Sequence, residues 1–107
     1  MLFIKPGVRV TGLRPEILLA IVAAERVYEE AGHDFTLTAC IDGKHMAGSL
    51  HYAGAAIDIR TRDVGGPAEV EKLRSRIAAC LGDDYDVVIE NDHLHLEHQP
   101  KQPLTNA

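Results

Sequence analysis

Apolar positions recur at helical spacing from Glu16 onward. Ile17, Ile21, Ala24, Tyr28 and Ala31 fall on one face, while Glu25, Arg26, Glu29 and Glu30 occupy much of the other. Pro15 stands where a first helical residue loses nothing by lacking an N–H, and Gly32 suits the position just past a helix end. The spacing predicts a helix over residues 15–31. The period then drops to two: residues 35–41 alternate and carry β-branched side chains, which predicts a strand ended by Asp42-Gly43. Residues 44–54 set polar and His positions beside glycines and read as a structured loop, and residues 55–60 read as the next strand. Gly65, Gly66 and Pro67 break the chain and restart a helix. Its apolar stripe is Val70, Leu73, Ile77, Cys80 and Leu81, and Gly82 closes it. Residues 86–90 and 93–97 are two short strands around Asn91-Asp92, the pattern of a tight hairpin.

Helices beside short, mostly antiparallel strands make a small α+β domain, two helices packed on a sheet. No repeat or linker divides the chain, so one domain is expected over residues 1–107. Its core covers about residues 11–97, and residues 98–107, with Pro100 and Pro103, form a loose tail or dock on a protein partner. Of the 107 residues 46% are hydrophobic and 25% charged, enough to bury roughly two thirds of the unfolded surface. The net charge of −5, from 11 Lys+Arg against 16 Asp+Glu, argues against a nucleic-acid binder, which needs a basic stripe. Cys40 and Cys80 have no CxxC partner and fit neither a disulfide framework nor a zinc ribbon, so both are expected as small apolar core thiols. The apolar start at residues 1–4 is too short for a secretory segment, and no stretch reaches the roughly 20 apolar residues that span a bilayer. A chain made in the cytoplasm without a signal peptide or membrane insertion is expected, acting outside only if released or virion-delivered.

Histidine is the feature that points to chemistry. There are six, with no Trp, and five fall between Lys44 and Gln99. A period of two puts His93, His95 and Glu97 on one strand face and Leu94 and Leu96 on the other. The leucines then face the core, and two imidazoles on a rigid strand can present to one cation. Upstream, His51 and Asp58 would point to opposite faces of one continuous strand, but Gly54 permits a bend that brings both toward one point. Beyond it Ala56, Asp58 and Arg60 share a face while Ile57 and Ile59 point to the core. Asp58 is then either a held ligand or a surface carboxylate paired with Arg60 or Arg62. His51, Asp58 and one of His93 and His95 make a His₂Asp set, which suits Zn²⁺ and leaves a fourth position for water, as catalytic zinc sites require.

The run Asp42-Gly43-Lys44-His45, followed by Ser49-Leu50-His51-Tyr52, Gly54, Ala56 and Asp58, resembles the SxHxxGxAxD signature of the D-alanyl-D-alanine metallopeptidases. It is closer still to the related zinc site of the hedgehog signalling domain, which shares the DGxH and SLHY elements. Glu90-Asn91-Asp92-His93-Leu94-His95 is similar to the HxH element of the same superfamily. Together these motifs span about residues 36–97, and the nearest look-alikes are short phage and prophage proteins. The resemblance implies Zn²⁺ ligands His51, Asp58 and His95, with His93 close to the metal as a substrate or transition-state contact. Strand periodicity alone leaves His93 open as the ligand. It further implies a carboxylate general base, Asp92 three residues before His95, or Glu90 on the hedgehog-like alignment. The implied activity is hydrolysis of peptide bonds in peptidoglycan stem peptides. The carboxylate would take a proton from a zinc-activated water, and His45, His93 and Lys44 would be the donors for the oxyanion and substrate.

The chain departs from the group at one place. An Arg ahead of the SxH motif, able to hold a substrate carboxylate, is missing from residues 38–43, which leaves Lys44 or Arg60 to replace it. An endopeptidase is therefore as open as a carboxypeptidase. Two further readings stand beside the enzyme: a zinc-holding binding or virion-structural module without turnover, and a metal-free α+β domain with unrelated histidines.

Overall fold

The computed structural model describes residues 1–41 and 53–101. In chain order the elements are β1 (Leu2–Ile4), α1 (Pro15–Glu30), β2 (Phe35–Ala39), β3 (Ala56–Arg60), α2 (Pro67–Leu81), β4 (Tyr85–Ile89) and β5 (His93–His98). The strands form one sheet in the order β1-β2-β3-β5-β4, with only the β1–β2 pair parallel. This is the expected α+β architecture, two helices on a mostly antiparallel sheet.

Local chemistry sets the helix ends where the spacing places them. Pro15 opens α1, and the chain turns away through Gly32 at φ +84°, where the His33 N–H donates to the Tyr28 carbonyl at 2.9 Å. The buried face of α1 is Ile17, Ala20, Ile21, Ala24, Val27 and Tyr28. That of α2 is Val70, Leu73 and Ile77. Both pack on a sheet face made of Phe35, Leu37, Ile57, Ile59, Leu94 and Leu96, all essentially without solvent exposure. Each such side chain contributes about 1.5–3 kcal/mol on burial, which fixes which way every strand faces. Tyr28 adds a polar tie, its hydroxyl donating to the Arg60 carbonyl at 3.0 Å, and meets Phe35 edge-on at 5.3 Å.

The elements depart from the sequence expectations in four places. Cys40 is buried as expected, but Cys80 is exposed. After Ile77 the apolar stripe of α2 continues four residues on at Leu81, which packs partly against the core, and not three residues on at Cys80. Leu2–Ile4 is a strand that periodicity does not reveal: it is short, and each of its side chains is exposed. Strand β2 carries a bulge, because Leu37 lies opposite Ile59 whereas Ala39 lies opposite Asp58. Two residues of β2 thus match one of β3. This turns Ala39 toward the Asp58 side and lets Cys40 return to the core. Finally, β5 runs through His98, and the chain stays held beyond it: Gln99 N–H donates to the Asp84 carbonyl at 2.7 Å, and the Lys101 ammonium lies 2.8 Å from Asp86. Residues 102–107 lie outside the described residues. Among the described residues no helix is long and apolar enough to cross a membrane.

Candidate metal centre

With both helices on one face of the sheet, the other face is left for chemistry. The β3–β5 register builds it. Asp58 lies opposite His95, Arg60 opposite His93 and Ala56 opposite Glu97, while the intervening pairs Ile57–Leu96 and Ile59–Leu94 point into the core. Side chains directly opposite on neighbouring strands stand about 5 Å apart at Cβ, within reach of one hydrogen bond. Asp58 is 9% exposed, flanked by two fully buried isoleucines, and is not the surface partner of Arg60 or Arg62. Its Oδ1 lies 3.0 Å from His95 Nδ1. The other ring nitrogen of His95, Nε2, lies 2.8 Å from Glu97 Oε1. The Asp58 hydrogen bond, assisted by that to Glu97 and opposed by burial, pushes the His95 pKa up to about 9. A protonated ring would donate from both nitrogens, one to each carboxylate.

His93 occupies the next same-face position. Its Nδ1 is 2.8 Å from Asp92 Oδ1, and its Nε2 is 3.6 Å from both Asp58 Oδ2 and Glu90 Oε1. The two candidate bases thus meet the same ring from opposite ends of the hairpin turn. The hydrogen bond from His93 is the main reason that the Asp92 carboxyl lies below its ordinary value. The turn is pinned by the Glu90 N–H donating to the His93 carbonyl at 2.9 Å and the Thr61 N–H donating to the Asp92 carbonyl at 3.1 Å. Asp92 shares a cavity with Asp58, whereas Glu90 lines a separate hollow with Val70 and Ile89.

Of the eight residues that the sequence singles out, the fold brings five together: Asp58, Glu90, Asp92, His93 and His95. Lys44, His45 and His51 lie outside the described residues. Among the described residues no group of three or more His, Cys, Asp or Glu side chains is arranged to hold a metal ion. The bend expected at Gly54 is present, at φ +73°, and a Cβ there would overlap the Gly12 carbonyl oxygen. The Gly54 carbonyl in turn accepts the Arg14 N–H at 3.0 Å, and the Arg14 guanidinium Nε–H donates to the Ala53 carbonyl at 3.1 Å. The start of α1 therefore anchors the chain where it enters β3. No family model matches this chain, and no curated protein matches it.

The donors that are described suit a borderline cation. An imidazole and a carboxylate face one another at hydrogen-bond distance, and Zn²⁺ takes N and O donors of these types. Glu97 is the residue that sequence reasoning left without a role. Periodicity sets it on the face of His93 and His95, but only the 2.8 Å contact reveals that it fixes the orientation of the His95 ring. A carboxylate beside a metal-binding imidazole commonly plays that part.

Proposed function

We propose that this chain is a zinc-dependent peptidase acting on peptidoglycan stem peptides. The observation that carries the reading is the pairing of Asp58 with His95 across β3 and β5, the second half of the SxHxxGxAxD run set against the second histidine of HxH. Asp58 and His95, with His51, would hold Zn²⁺. Bound there, the ion would supply Lewis acidity toward a peptide carbonyl and toward water. Asp92 is the preferred proton acceptor because it opens onto the same cavity as Asp58, with Glu90 second. His93, held by Asp92, is a donor for charge developing on the substrate oxygen, joined by Lys44 and His45. Incubation of the purified chain with peptidoglycan should release new amino termini, and mass spectrometry of the muropeptides with and without zinc names the bond. Products that persist after His51→Ala or in excess chelator overturn the site.

A second reading, a zinc-holding module without turnover, draws support from the engagement of both candidate bases by His93, at 2.8 Å for Asp92 and 3.6 Å for Glu90. Stoichiometric zinc without any muropeptide product would decide for it.

A further inference from the structure

The two edges of the sheet are chemically unlike. At one end β4 carries Asp86, with Asp83 and Asp84 just ahead of it and the Lys101 ammonium 2.8 Å from Asp86. At the other end β1 holds no charged side chain, and Met1, Leu2, Phe3 and Ile4 are each 44–69% exposed. Charges on an edge deter pairing with another chain, whereas an uncharged apolar edge invites it.

The ladder of β1 shows what its free side offers. The Phe35 N–H donates to the Met1 carbonyl and the Lys5 N–H to the Leu37 carbonyl, each at 3.0 Å. The backbone of Met1, Phe3 and Lys5 therefore faces β2, and the N–H and C=O groups of Leu2 and Ile4 point away from it. Among the described residues no strand lies on that side. The side chains divide as well. Leu2 and Ile4 stand beside Phe35 and Leu37 on the helix-covered face, and Phe3 stands beside Thr36 on the open one. Helix α1 borders the first pair: Leu18, Val22 and Glu25 share one stripe, and Glu25 Oε2 lies 3.6 Å from the Met1 amino nitrogen. Leu18 and Val22 are both exposed, so strand edge and helix stripe make one apolar surface.

We propose that this surface joins two copies of the chain, β1 pairing antiparallel with β1 of the second copy about a two-fold axis through Phe3. The free backbone groups are self-complementary in that register. Leu2 of each copy faces Ile4 of the other, and each such pair exchanges both of its N–H to C=O bonds. The two Phe3 rings meet on the axis as a cross-strand aromatic pair. On the other face, Leu18 and Val22 of both helices flank a floor of Leu2 and Ile4. With Met1, these side chains offer on the order of 500 Å² of apolar surface per copy. A stable dimer buries roughly 800 Å² per partner, a little over half of it apolar, so the patch has the size required. Pairing through β4 would instead set acids of two negatively charged chains against each other. The dimer doubles the five-stranded sheet, with all helices on one face and both candidate centres on the other. It does not depend on the peptidase reading.

Sedimentation equilibrium of the full chain should give twice 11.7 kDa at high concentration, in zinc and in chelator alike. Dilution through the micromolar range should dissociate it. Phe3→Lys sets two ammonium groups face to face on the axis, and Ile4→Pro removes an outward N–H while sparing the β2 ladder. Each should weaken the dimer about tenfold or more, whereas Leu19→Lys, at an exposed position outside the Leu18–Val22 stripe, should leave it unchanged. In a Cys80→Ser background, which removes the exposed thiol, Phe3→Cys should cross-link two copies on mild oxidation, because facing residues on the axis stand at disulfide distance. Leu2→Cys should not, since it faces Ile4. A mass of 11.7 kDa at every concentration overturns the dimer and leaves the edge to a strand of another protein. A dimer seen only with zinc overturns it as well. Indifference to both Phe3→Lys and Ile4→Pro, or cross-linking through Leu2→Cys and not Phe3→Cys, overturns this interface. Growth beyond the dimer overturns the two-fold axis, because β1 would then be pairing with β4 of the next copy.

Discussion

His95 has the most consequential environment of any single side chain. With Asp58 on one nitrogen and Glu97 on the other, its folded pKa of about 9 exceeds the ordinary imidazole value of about 6.5. A raised pKa means that the folded state holds the proton more tightly than the unfolded one. The resulting stabilisation of the metal-free chain is complete below about pH 6.5 and is lost as the pH rises through about 9. Asp58→Asn should lower the His95 midpoint in an NMR titration of chelator-treated protein and flatten that pH dependence in urea unfolding. Tyr28 gives an independent check with no bearing on metal. Burial pushes its phenol well above the usual value, so the folded chain should resist tyrosinate formation there and lose stability above about pH 10, where the unfolded chain ionises. Ultraviolet titration should show the Tyr28 phenol ionising only on unfolding. Tyr28→Phe, which leaves the Arg60 carbonyl without its donor, should cost about 1 kcal/mol.

At the scale of elements, the approach to β3 is the most demanding backbone. Gly54 combines a positive φ with a Cβ direction already filled by the Gly12 carbonyl, whereas Gly32 has a positive φ but open space around it. Gly32→Ala should cost about 1 kcal/mol of conformational strain, and Gly54→Ala distinctly more, since the Gly12 backbone must also move. Chemical denaturation of the two variants side by side checks the order. These elements also show what a linear pattern can carry. Helix spacing reads α1 and most of α2 because each buries one face for its whole length, and it fails at Cys80, where a stripe can continue by three residues or by four. Alternation reads β3 and β5, including the direction of Asp58, His93 and His95. It misses β1, whose side chains are all exposed, and the bulge in β2, which a bare alternation does not mark.

For the whole molecule, strand order is what the sequence leaves unwritten. Nothing local says that β5 inserts between β3 and β4, yet that insertion sets His95 against Asp58. The resemblance of the two segments to the HxH and SxHxxGxAxD elements implies the meeting, and the β-sheet supplies the register. If zinc then binds the folded chain alone, a hundredfold excess over its dissociation constant should add about 2.7 kcal/mol, and so raise the melting temperature by about 10 °C or more. The rise should vanish in His95→Ala, as thermal melts with and without zinc would record. The register has one further effect. Along β3 and β5 the residues that anchor the fold, Ile57, Ile59, Leu94 and Leu96, alternate with those that face the candidate centre. Slipping β5 by a single residue would turn both leucines outward, forfeiting about 3–6 kcal/mol, and drive His93, His95 and Glu97 toward the core. Half-assembled centres are thus too costly to accumulate. Destabilising substitutions elsewhere in the core should reduce the number of folded molecules while leaving the site of each survivor intact, so that any activity of the proposed centre falls in proportion to the folded fraction.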